Sequence, residues 1–195
     1  MNSGDIFEAI AAVSQLVMAI AVSIGVIVAY RQIKANRADH LEQKKFEIAD
    51  TLIGLVFELV DRLEQVRDRD DFIGMPQAEQ IATVTARLDA IQDTNDIVKS
   101  IARLNVRQRA IIQSDAVTAE IEKLFEARIE IFNALTTIKH NYPQPSKDDL
   151  ATERLRNAKE LIRGGGIRSD NLHMRLNDIL ATIQAELAQS LRLGL

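Results

Sequence analysis

From Ile6 to Tyr30 the chain runs for 25 residues with Glu8 as its only charged side chain, and Arg31, Lys34 and Arg37 follow at once. A helix of that length extends about 37 Å at ~1.5 Å per residue, more than the ~30 Å hydrocarbon core of a bilayer. Phe7 and Tyr30 stand near the two ends, where aromatic rings favour the membrane interface. Asp5 and Glu8 lie at the front, whereas Arg31, Lys34, Arg37, Lys44 and Lys45 follow. That order is the reverse of a cleaved signal peptide. By the positive-inside rule it predicts an N-terminus outside and a cytoplasmic C-terminal part. The competing reading is a long helix buried inside a soluble oligomer.

Two features of the run predict contact with other membrane helices. Ala21, Gly25 and Ala29 recur at every fourth position, so two backbones can approach closely along that strip. Gln15 lies near mid-membrane, where an amide needs a partner that a neighbouring helix can supply. The basic residues Arg31, Lys34 and Arg37 set topology and attract anionic lipid headgroups, each worth about 1 kcal/mol near the surface.

The remainder reads as all-α. Aromatic residues make up 4% of the chain, and the three prolines are Pro76, Pro143 and Pro145, which leaves long stretches without breakers. All 24 Lys and Arg and 26 of the 28 acidic residues follow residue 30, so that part carries about −2 and has no field to draw nucleic acid. With no Cys, disulfides, thiolate metal sites and thiol catalysis are excluded.

Residues 31–47 read as a charged juxtamembrane helical stalk, and residues 48–195 as an antiparallel cytoplasmic helical bundle, after the 1–30 tail and transmembrane helix. In the first body segment Ile48, Leu52, Leu55, Val56, Leu59, Leu63 and Val66 form a stripe at helical spacing that Ile53, Phe57 and Val60 widen. Its apolar character on nearly every side between 50 and 58 predicts the central helix of the bundle. Gly74 and Pro76 mark a break, and Ile81, Val84, Leu88, Ile91, Val98 and Ile101 continue a second stripe with an interruption expected at 94–96. Ser114 and Asp115 cap a third segment through Val117, Ile121, Leu124, Phe125, Phe132, Leu135 and Ile138. Pro143 and Pro145 stop it, Ser146 and Asp149 open a fourth, and a last helix from about residue 169 carries Leu172, Leu176, Ile179, Leu180, Ile183, Leu187 and Leu191.

Chemistry-bearing motifs are few. Arg163, Gly164, Gly165, Gly166 and Arg168 form a candidate anion-binding loop ahead of a helix N-terminus, although its spacing fits neither a Walker A loop nor a dinucleotide fingerprint. The bland alternative is a flexible connector. His40, His140 and His173 are scattered and show no metal-ligand spacing, so no metal or cofactor is expected. Glu122, Glu126 and Glu130 repeat as a solvated strip would. No nucleophile elbow or acid/base pair is visible, so no catalytic residue and no enzyme activity is expected.

The passage Ala19–Lys34, in which an apolar helix runs into Tyr30-Arg31-Gln32-Ile33-Lys34, resembles a broad group of uncharacterised bacterial single-pass membrane proteins with a helical cytoplasmic region. The likeness covers about the first fifty residues and implies a bacterial inner-membrane protein. With the features above it predicts a non-enzymatic accessory or scaffold subunit, held by lipids and by other membrane subunits or copies of itself. A second expectation, from another class, is a ligand-gated membrane-disrupting effector of antiphage defence that senses a phosphate-bearing signal.

Overall fold

Helix boundaries follow the breakers and caps in the sequence. The computed structural model describes the backbone of residues 3–67, 76–141, 149–163 and 170–192, and side chains within these from residue 22 on, residues 38, 77 and 149 apart. Among the described residues every element is helical: α1 (Ser3–Val66), α2 (Gln77–Asp93), α3 (Asn95–Ile111), α4 (Asp115–Asn141), α5 (Asp149–Arg163) and α6 (Asn171–Arg192). The chain divides into two units, Met1–Lys44 and Lys45–Leu195.

The first unit is the N-terminal part of α1. It has no breaker that would stop a helix, since glycine inside a helix costs only about 1 kcal/mol relative to alanine and Gly25 is accommodated without interruption.

The second unit holds the core. In its part of α1, Leu52, Val56, Leu59 and Leu63 are fully buried. Each such side chain contributes roughly 1.5–3 kcal/mol relative to exposure. One face of this segment stays open, however. Phe57, expected to widen the buried stripe, is 59% exposed. A Cβ added at Gly54 would meet nothing within 4 Å.

α4 packs against α2, α3, α5 and α6. Its buried positions, among them Val117, Ile121, Leu124, Ile131, Leu135 and Ile138, lie three or four apart, and the small Ala127 and Ala134 sit between them on the same side. α6 buries Leu172, Leu176, Ile179, Ile183 and Leu187 in the same way. Glu122, Glu126 and Glu130 are exposed, as a solvated strip requires.

The caps explain where elements start and stop. Ser114 Oγ accepts the Val117 amide at 3.3 Å and opens α4. Asp170 Oδ1 accepts the Leu172 amide at 3.1 Å and opens α6. The expected interruption at 94–96 narrows to Thr94 alone, between α2 and α3. Arg128 of α4 holds this joint: Nε donates to Thr94 Oγ1 at 2.8 Å, and Nη2 donates to Ile91 O at 3.0 Å and Asn95 Oδ1 at 2.7 Å. Ile91 O, near the end of α2, accepts the Thr94 amide and hydroxyl as well, and a cation from another helix adds to this helix end, where carbonyls run short of intrahelical donors. Burial pushes the Arg128 guanidinium below its ordinary pKa.

Candidate functional site

Successive residues of a helix point about 100° apart, so a short consecutive stretch samples every face. In α1, Val22, Ile24, Val26, Ile27, Val28 and Tyr30 are all exposed, at 47–68%. These positions point to every side of the helix, and a Cβ at Gly25 would meet nothing within 4 Å among the described residues. Ala29, Arg31, Lys34 and Arg37 are exposed as well. The side chains of Gln15 and Ala21 lie outside the described residues. Among the described residues no helix is long and apolar enough to cross a membrane. Of the run 6–30, only the side chains from residue 22 onward belong to the described set.

A second constellation lies where α1 ends. Arg67 follows the last residue of α1 and is fully buried. Its Nε donates to Leu161 O at 3.0 Å, a carbonyl in the last turn of α5. Its Nη2 donates to Asp170 Oδ2, on the residue whose other oxygen caps α6. Glu64 Oε1 lies 3.6 Å from Arg67 Nη1 and 3.2 Å from His173 Nδ1. His173 Nε2 lies 3.0 Å from Asn177 Nδ2. If that amide nitrogen donates, Nε2 is the acceptor and Nδ1 carries the proton toward Glu64. The group therefore joins α1, α5 and α6 through one guanidinium and two carboxylates. Arg67 Nη1 and Glu64 Oε2 are buried and have no hydrogen-bond partner among the described residues.

Of the candidate anion loop, Arg163 is exposed at the end of α5, and Gly164, Gly165, Gly166 and Arg168 lie outside the described residues. Among the described residues a cation that serves this end of α5 is Arg67, which sequence reasoning missed. It stands in the alternating tract Arg67-Asp68-Arg69-Asp70-Asp71, where nothing local separates it from Arg69. His40 and His140 are exposed. His173 faces a carboxylate that is 109 positions away in sequence, a pairing no spacing rule can show.

A cleft of about 500 Å³ opens between α1 and α2. Glu58 and Arg62 line it from α1, Arg87 and Asp93 from α2, over Val66 and Ala90. Both signs of charge face it, and among the described residues no three His, Asp or Glu side chains converge as a metal set. The cleft offers a mixed polar rim without a nucleophile paired to a base.

The chain matches no family model, no curated protein and no solved structure.

Proposed function

We propose that this protein is a non-enzymatic, membrane-anchored helical interaction protein, an accessory or scaffold subunit that assembles with other membrane proteins or with itself. The observation that carries the proposal is the uncovered stretch from Val22 to Tyr30, apolar and exposed on all faces. Apolar surface of this kind is stable only against lipid or another chain. In the sequence it continues without a charge back to Ala9, and from Ile6 the run is long enough to span. The basic residues Arg31, Lys34 and Arg37 then follow on the inner side of a bacterial inner membrane.

Charge and site chemistry support the same reading. The part after residue 30 is close to neutral, which leaves no field for nucleic acid. Its buried ionic group around Arg67 joins three helices and does not line the cleft between α1 and α2. Extraction of the full chain in mild detergent followed by native mass spectrometry tests the proposal. A homo-oligomer or a complex of fixed stoichiometry is expected. A lone monomer as the only species would overturn it.

A further inference from the structure

From Phe46 to Asp61, α1 carries four acidic residues and no basic one. At about 100° per residue, Glu47, Asp50, Glu58 and Asp61 fall on one side of the helix, in the same arc as Phe46, Gly54 and Phe57. The buried Leu52, Val56, Leu59 and Leu63 lie on the opposite side. Every residue of the arc is exposed, Phe46 at 63% and Phe57 at 59%. The two rings stand about three turns apart, roughly 16 Å along the axis. Two aromatic anchors are thus rimmed by carboxylates, and between them Gly54 leaves a hollow where an added Cβ would meet nothing within 4 Å among the described residues.

α3 presents the complement. It carries Lys99, Arg103, Arg107 and Arg109 against a single acid, Asp96, which Lys99 bonds at 2.9 Å. While Ile101 and Gln108 are buried, Ala102, Val106 and Ala110 recur at every fourth position on the outer side among these cations. All three are exposed, Val106 at 70%. The small side chains at 102 and 110 leave low ground on either side of Val106 for an aromatic ring. Both faces are exposed in one copy, and every copy carries both. Aromatic anchors supply the apolar contact of an interface, and charges of unlike sign select which surface they meet.

We propose that the acidic, aromatic face of α1 between Phe46 and Asp61 docks on the basic face of α3 between Lys99 and Ala110 of a second copy of this chain. The contact is heterologous: each copy in a pair keeps one face of either kind free, so the assembly grows head to tail until its rotation closes a ring. It rests on the self-association proposed above and places a second contact in the body, on residues other than the Ala21, Gly25 and Ala29 strip.

Cross-linking of the full chain in mild detergent tests the contact, since the chain has no cysteine of its own. Differently tagged copies carrying Gly54→Cys or Ala102→Cys are co-expressed and treated with a flexible bis-maleimide. The unlike pair should give at least tenfold more product than either variant expressed alone. Equal or greater product from like pairs would mean a symmetric contact and overturn the proposal. Absence of the unlike product would overturn it too, and native mass spectrometry of the same sample separates the two failures: a persisting oligomer removes only the contact between α1 and α3, whereas a lone monomer removes self-association as well. Asp50→Lys with Asp61→Lys in the Gly54→Cys copy should cut the unlike product at least tenfold, and Arg103→Glu with Arg107→Glu in the Ala102→Cys copy should restore it. No reduction, or a reduction without rescue, rejects the pairing of these two faces and leaves the acidic face to a basic helix of another protein.

Discussion

Gln113 adopts φ 64°, a left-handed conformation that glycine tolerates and other residues resist. Its amide donates to Gln108 O at 3.0 Å and closes the end of α3, as a left-handed residue just past a helix does. Gln113→Gly should therefore raise stability by about 0.5–1 kcal/mol, after the extra freedom of glycine in the unfolded chain is discounted. A higher urea midpoint with an unchanged slope would show it. Arg128→Met removes the cation that serves Thr94, Ile91 and Asn95, and should cost about 2 kcal/mol, the scale of hydrogen bonds to a charged group. A variant as stable as the wild type would remove Arg128 from the account of the α2/α3 joint. At Asp96, the hydrogen bond from Lys99, then the charge of Lys99, holds the carboxyl below its ordinary pKa. The stabilisation is thus present above the unfolded value of ~3.9 and fades as pH falls through the folded value. The gap in urea midpoint between wild type and Asp96→Asn should be present at pH 6 and shrink at pH 3. A constant gap would contradict the pairing. Ser114 was readable as a cap, and the start of α6 near residue 169 as a boundary, because a cap acts over two or three positions. Arg67 and Arg128 were not, because their partners lie far off in the chain and only packing brings them near.

At the scale of elements, periodicity located most of the core. The stripe from Ile48 to Val66 and the last stripe from Leu172 to Leu187 both appear as buried faces, because an apolar residue every three or four positions can only be buried on one side of a helix. Phe57 departs from that pattern. A run apolar on nearly every side cannot say which side the neighbours leave open, and here the side bearing Phe57 and Gly54 is uncovered. The second stripe contained two helices, α2 and α3, and its break was visible as three polar residues in a row. In the N-terminal part of α1, a side chain at Gly25 would meet nothing within the chain. Gly25→Leu is therefore a test of contact between chains, with little effect on the fold. It should leave thermal unfolding of the body unchanged and lower the oligomeric fraction seen by sedimentation in detergent. An unaltered distribution would reject the Ala21, Gly25 and Ala29 strip as a contact surface.

For the whole molecule, the division at Lys44 separates a helical segment, apolar at first and charged after residue 30, from a body with its own core. The chain from Lys45 onward should unfold cooperatively on heating, with a helical circular dichroism spectrum. A gradual, non-cooperative loss of signal would show that the body depends on the first unit. The candidate site was legible in part: the apolar run is a matter of composition, whereas the Arg67 group exists only once α1, α5 and α6 meet. Because the chain contains no cysteine, single substitutions report position without background. The most direct test of membrane anchoring is labelling of Ser3→Cys, Ala19→Cys and Asn36→Cys in spheroplasts with a membrane-impermeant maleimide, before and after permeabilisation. The account predicts that Ser3→Cys reacts from outside, Asn36→Cys reacts only after permeabilisation, and Ala19→Cys stays unlabelled in both states. Ready labelling of Ala19→Cys, or of Asn36→Cys in intact spheroplasts, would contradict it.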